Sequence, residues 1–279
     1  MRLGLLNLGL VHRAWREIAW TSLVFALVVG SVSGLLGYAL PRIQARFMQR
    51  QFIPPGVRQL RDAIFGFDST GAGVSDIAFA LAWSHPIVLA LLSAHAIMVC
   101  TRVPAAEVER GTIDVLFALP VSRWSVLVSE TAAWILSGLL VLGAVYTGSY
   151  IGARFIPVEH QPSWSKLAMV LANLALVYAL IGCASMLAAT VTNRRTWAIL
   201  AVLIMTVASL LINFLYTLDP SLAFTKRLAF LSFLEYYSPI RVLMGGQWPL
   251  RNMTILACAA ASIWIVAGIW LNRRDITTT

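Results

Sequence analysis

The stretch LAMVLANLALVYALIGCASMLAATVTNRRTWAILAVLIMTVASLLINFLYTL, residues 167–218, holds two apolar runs of 27 and 23 residues divided by one pair of charges, Arg194 and Arg195. A hydrocarbon core of ~30 Å is crossed by about 20 residues at helical rise, so each run is long enough to span it. Neither run alternates in the ~10-residue segments of a membrane barrel. In lipid the backbone must satisfy its own hydrogen bonds, which a helix does within one segment. Two spans separated by two residues form an antiparallel hairpin with both arginines at one membrane face.

Four further runs lack Asp, Glu, Lys and Arg: residues 18–40, 77–101, 131–153 and 252–272. The composition, 59% apolar and 12% charged with a mean hydropathy of +0.79, lies outside that of soluble domains. The sequence therefore predicts an all-α integral membrane protein: one transmembrane domain over residues 1–279 with six transmembrane helices. Run 18–40 follows Arg2, Arg13 and Arg16 as a secretory signal would, but it exceeds the 7 to 15 apolar residues of a cleaved h-region and is expected to remain as a signal anchor. The expected location is the cell (inner, cytoplasmic) membrane. Lys and Arg number ten on the side of the termini and eleven on the other, so the count does not orient the chain. The compact clusters Arg13/Arg16, Arg194/Arg195 and Arg273/Arg274 favour cytoplasmic termini. The net charge of +9 sits at helix ends and in loops, where the lipid bilayer, not nucleic acid, is the partner.

Two loops are longer than the rest. The first, residues 41–76, opens with Arg42, Arg46 and Arg50 opposite Ile43 and Phe47, the pattern of a helix lying on headgroups, and Pro54-Pro55-Gly56 ends it. The other, residues 219–251, contains an apolar stretch at 228–234 followed by Glu235-Tyr236-Tyr237-Ser238-Pro239, too short to cross and suited to an interfacial or re-entrant segment.

No catalytic site is expected on this chain. A P-loop needs Lys followed by Ser or Thr after a Gly-rich turn, and the two lysines, Lys166 and Lys226, precede Leu167 and Arg227. His85 and His95 in helix two are expected to bond across helices, as are Asn173 and Asn213. Cys183 and Met186 are one turn apart, but two soft ligands without a third are expected to be packing, so no metal is assigned. In helix one Gly30, Gly34 and Gly37, with Ser33, form a small-residue stripe that lets another backbone approach closely, either from within the chain or from a second copy.

Residues 105–123 join helices two and three. After Gly111, the residues Ile113, Leu116, Phe117 and Pro120 recur at i, i+3, i+4 and i+7, so a short helix would carry one apolar stripe. Pro120 ends it, and Ser122 is placed to cap helix three through the backbone N–H of Trp124 or Ser125. Such an element either rests on lipid or carries force between the spans.

Glu109-Arg110-Gly111-Thr112, then Asp114, Leu116 and Leu119-Pro120-Val121-Ser122-Arg123, resemble the coupling-helix region of permease subunits of type-two ABC exporters, the ABC-2 type transporter permeases. The resemblance in helix pattern covers nearly the whole chain; at residue level it covers this segment and the basic Arg273-Arg274-Asp275 ending. It implies that Glu109, Arg110, Gly111, Thr112, Ile113, Asp114, Leu116, Phe117, Leu119, Pro120, Ser122 and Arg123 couple the chain to a separate ABC ATPase subunit. It also implies that ATP and Mg bind on that subunit and no cofactor on this chain, and that a second permease copy or a paralogue completes the pathway. The sequence departs from the family's pattern in two places: Glu130 stands where a basic residue is expected, and the first loop is longer and richer in arginine. The rival is an ATP-independent membrane protein of another class, either another polytopic membrane protein or a secondary transporter, the latter of which would show inverted repeats and helices broken near the midplane. Neither is visible in the sequence.

Overall fold

Helix α1 (Leu8–Gln49) runs unbroken for 42 residues, about 63 Å at helical rise, and so outreaches the bilayer. It passes straight through Pro41, which corrects the expectation that a separate surface helix begins there. A proline removes one hydrogen bond, here to the Gly37 carbonyl, which bends a helix without having to end it. A computed structural model of the chain describes residues 6–49, 74–118, 120–157, 161–218 and 228–274. Arg50, the Pro54-Pro55-Gly56 break, Leu119 and Asp275 lie outside those residues.

The second span is two helices, α2 (Val74–Ser84) and α3 (Pro86–Cys100), where the sequence predicts one. The residue before a proline is forced out of the helical region, and His85 has φ −62° and ψ 132°. Pro86 then opens α3 where its missing N–H costs nothing, and His85 Nδ1 accepts from Ile87 N at 3.3 Å. An irregular turn (Arg102–Ala106) and two very short helices, α4 (Glu107–Glu109) and α5 (Ile113–Phe117), lead into α6 (Arg123–Ala153). The predicted hairpin follows as α7 (Trp164–Val191) and α8 (Arg195–Leu218). After it come two single turns (Ala229–Leu231, Phe233–Tyr236), α9 (Pro239–Gly245) and α10 (Leu250–Arg273). Among the described residues six helical stretches are long and apolar enough to cross a membrane, each overlapping one of the six predicted runs, and no strand occurs.

Side-chain contacts sort the loops onto two faces. On one, Asn7 N donates to Ser129 Oγ at 3.1 Å, Arg123 donates to the Leu271 carbonyl at 2.9 Å, and Arg274 bonds Asn193 and the Thr190 carbonyl. This terminal face gathers the start of α1, the turn between spans two and three, the α7–α8 hairpin and the end of α10. On the opposite face Arg42 donates to the Phe155 carbonyl at 2.9 Å and Asp76 Oδ1 accepts from Ser163 N at 3.0 Å. The segment at 228–239 folds back there: Phe233, Leu234 and Tyr237 are buried, and Tyr237 Oη donates to the Trp83 carbonyl at 3.4 Å, supplying a donor beside the helix break.

Helices α1 and α6 meet backbone to backbone. A Cβ at Gly148 would stand 2.1 Å from the Gly30 carbonyl oxygen, and one at Gly152 would stand 2.1 Å from that of Gly34. Gly37 meets the Phe79 ring and the Ser149 carbonyl. The small-residue stripe of helix one is thus filled from within the chain by α6 and α2.

Candidate functional site

Span two ends in Thr101, whose hydroxyl bonds back to the Ile97 carbonyl at 2.7 Å, and hands over to Arg102 at the terminal face. Arg102 is 7% exposed, and its guanidinium donates to Glu17 on α1 and to Glu130 on α6. Glu17 also accepts from Arg13 Nε at 3.0 Å, and Arg13 Nη2 reaches Glu107 Oε1 at 3.0 Å. Glu107 is 3% exposed; its other carboxylate oxygen accepts from the Thr112 hydroxyl, and its carbonyl accepts from Thr112 N at 2.9 Å. Two arginines and three glutamates therefore pin α1, the end of α3, the α4–α5 turn and α6 to one point. Arg102, Glu107 and Glu130 are nearly dry and hold only in this arrangement, because an unpaired one is left without solvent, whereas Arg13 and Glu17 keep part of their hydration. Glu130, which stands where the resemblance leads one to expect a base, has its countercharge in Arg102.

The turn itself is built on Gly111. Its φ of +70° is a left-handed conformation that suits glycine, and it stops α4, so no helix runs from Arg110 to Asp114. Restarted at Ile113, α5 turns that side chain inward: Ile113 is fully buried among Leu10, Val103 and Val126. Ile113 is thus an inward anchor of the turn and not part of its exposed surface. The outward residues are Asp114, Val115 and Ala118, with Val115 72% exposed. Leu116 and Phe117 lie in the same helix. Pro120 follows at the surface, and Ser122 Oγ accepts from Ser125 N at 3.0 Å, the cap that the sequence predicts. Arg123 ties this elbow to the end of α10.

The α7–α8 hairpin closes on the same site. Glu109 Oε2 accepts from Arg195 N at 3.4 Å, setting a carboxylate at the N-terminus of α8, where the helix dipole favours it. The Arg195 guanidinium donates to the Met98 carbonyl at 2.8 Å. Thr112 and Arg110 are exposed beside these contacts. The residues singled out between Glu109 and Arg123 thus share one face of the molecule, Leu119 apart, which is not described.

The other singled-out polar groups sit in the spans. His95 is buried between Tyr178 Oη at 2.9 Å and Ser22 Oγ at 3.2 Å, joining α3 to α7 and α1 as expected. His85 caps a helix. Asn173 is buried and has no hydrogen-bond partner among the described residues, against the expected cross-helix bond. Met186 Sδ accepts from Trp134 Nε1 at 3.1 Å, a packing contact, and among the described residues no group of three His, Cys, Asp or Glu side chains is placed to hold a metal.

The charge cluster escaped sequence reasoning, although a signal for it exists. Glu17 immediately precedes the first apolar run, Arg102 immediately follows the second, and Glu130 immediately precedes the third. In a bundle of alternating spans those three positions fall at one depth.

Six apolar helices long enough to cross a bilayer, with a charge-anchored turn between spans two and three, make a polytopic membrane protein. The chain matches the model of the ABC-2 family transporter proteins over residues 13–271 and belongs to that family. It is a membrane permease of an ABC transporter, a class of transport subunit that works with an ATPase partner. No curated protein and no solved structure matches the chain.

Proposed function

We propose that the chain is half of the translocation pathway of an ATP-driven exporter, with two copies, or one copy and a paralogue, driven by ABC ATPase subunits that dock beneath the terminal face. The observation that carries this reading is the α4–α5 turn. One side is anchored into the permease by Ile113, Glu107 and Thr112, and the other exposes Asp114, Val115 and Ala118. A partner pressing on the exposed side displaces α1, α3 and α6 together, because Arg102, Glu17 and Glu130 join them. ATP and Mg belong to the partner. The terminal face is cytoplasmic on this reading, in keeping with the basic clusters gathered there. The outer faces of α1 and α8, which leave much apolar surface such as Trp20, Leu27, Leu203 and Leu211 exposed, are available to lipid and to the second permease.

The break at His85–Pro86 is one trait of secondary transporters. Here, however, the Trp83 carbonyl is met by Tyr237 and the Ala82 carbonyl accepts from His85 N at 3.4 Å, which leaves those oxygens to the protein's own donors.

The test is Val115→Asp, alone and combined with Leu116→Asp and Phe117→Asp. These positions lie outside the spans, so insertion and yield should stay at wild-type level while co-purification of the ATPase subunit falls at least tenfold. Undiminished co-purification with undiminished ATP-driven transport in vesicles would remove the turn as the coupling element.

A further inference from the structure

Helices α6 and α10 touch at the terminal face and leave a groove above it, floored by α7. Trp124 of α6 lies against Gly268 of α10, and Trp264 Nε1 donates to Thr131 Oγ1 at 2.9 Å; beyond this closure the groove encloses about 330 Å³. Its walls are Trp134, Gly138 and Leu142 on one side and Ala260 and Ala261 on the other, over Ala175 and Ala179. Leu139 and Ala261 are exposed at the rim, so it opens sideways into the membrane.

Three features decide what fills it. First, the side-chain oxygen and nitrogen atoms of its wall already have partners: Thr131 Oγ1 donates to the Leu127 carbonyl and accepts from Trp264, Trp134 Nε1 donates to Met186 Sδ, and Tyr178 Oη bonds His95. A ligand group needing a hydrogen bond would be left unsatisfied there. Second, Thr131 to Leu142 is about 16 Å of helix, close to half of a ~30 Å hydrocarbon core. Thr131 is the first residue of the charge-free run, so the groove reaches from the edge of the hydrocarbon at the terminal face to the midplane. Third, a helix ~10 Å wide and equally long would occupy on the order of 1,200 Å³, more than the roughly 770 Å³ of unfilled space counted out to the open mouth. A helix of a second copy cannot lie wholly inside it.

We infer that this groove holds one acyl chain of a membrane lipid from the leaflet at the terminal face, selected by its hydrocarbon and not by its headgroup. The inference rests on the membrane-spanning fold alone and is independent of ATPase docking.

The test reconstitutes the full chain with palmitoyl-oleoyl phosphatidylcholine or phosphatidylglycerol, extracts it into delipidating detergent and counts retained lipids by native mass spectrometry. Wild-type protein should keep one phospholipid per chain, with the two headgroups retained within twofold of each other. Ala179→Phe combined with Ala261→Phe, which fills the groove, should lose at least tenfold, whereas Ala201→Phe on the exposed face of α8 should not. Should the filled variant fail to fold, wild-type protein with a phospholipid bearing a mid-chain diazirine gives the same answer: adducts should concentrate within 131–142, 175–183 and 260–264. No retained lipid, equal retention by the filled variant, adducts spread evenly onto Leu203 and Leu211, or disulfide-linked dimers through Leu139→Cys would each overturn the inference, the last by putting a second copy in the groove.

Discussion

Replacing Arg102 by Gln takes the cation from between Glu17 and Glu130 without removing much volume. The Arg102 side chain is 9% exposed and that of Glu130 is 14%, so this pair is nearly dry, whereas Glu17 at 34% keeps part of its hydration. Breaking a buried ion pair from one side costs about 3–5 kcal/mol, because a charge is left unpaired in a poor solvent. Glu130→Gln should cost less, about 1–3 kcal/mol, since Arg102 retains Glu17. The double variant carries two amides able to bond each other and leaves only the better hydrated Glu17 without its partner. It should therefore be no less stable than Arg102→Gln alone, a coupling on the order of 1–3 kcal/mol. The assay is thermal unfolding in detergent, followed by loss of the monodisperse fraction. At roughly 2–4 °C per kcal/mol for a chain somewhat below this size, Arg102→Gln should melt about 6–20 °C below wild type. Strictly additive losses for the two substitutions would refute the pairing, as would a melting temperature unmoved by Arg102→Gln.

The glycine seam makes a sharper contrast within one helix. Gly148→Ala drives a methyl group onto the Gly30 carbonyl and should cost about 1–3 kcal/mol, while Gly143→Ala, whose Cβ would meet nothing within 4 Å, should be neutral or gain up to about 1 kcal/mol of helix propensity; equal melting temperatures for the two would contradict the α1–α6 contact. In a Cys-free background, single cysteines from Val115→Cys and Phe155→Cys, both exposed, should react with an impermeant maleimide from opposite sides of the membrane. Labelling of both from one side would refute the six-span path.

The spans are legible in the sequence because crossing a bilayer is a demand on length and composition, and both are local. The hairpin at Arg194–Arg195 and the cap at Ser122 are equally local: each needs only the conformational or hydrogen-bonding habit of one or two residues. The broken second span shows where that logic thins. The His85–Pro86 pair carries the signal for a break, but an apolar run is blind to it, since the run measures side chains and the break is in the backbone.

What the sequence by itself determined, then, is the membrane as solvent, the number of crossings and the position of the turn between spans two and three. Tertiary structure alone decided which way that turn faces. The apolar spacing of Ile113 with Leu116 and Phe117 says that one stripe exists and not what covers it; Leu10, Val103 and Val126, distant in the chain, cover Ile113. It alone decided that the glycines of helix one are met by Gly148 and Gly152, and that α6 and α10 diverge above Trp264 to leave a groove. Pairing between residues a hundred positions apart depends on how helices are rotated about their axes. In a lipid-soluble chain almost every face is apolar, so the hydrophobic pattern that would fix that rotation in water carries little information.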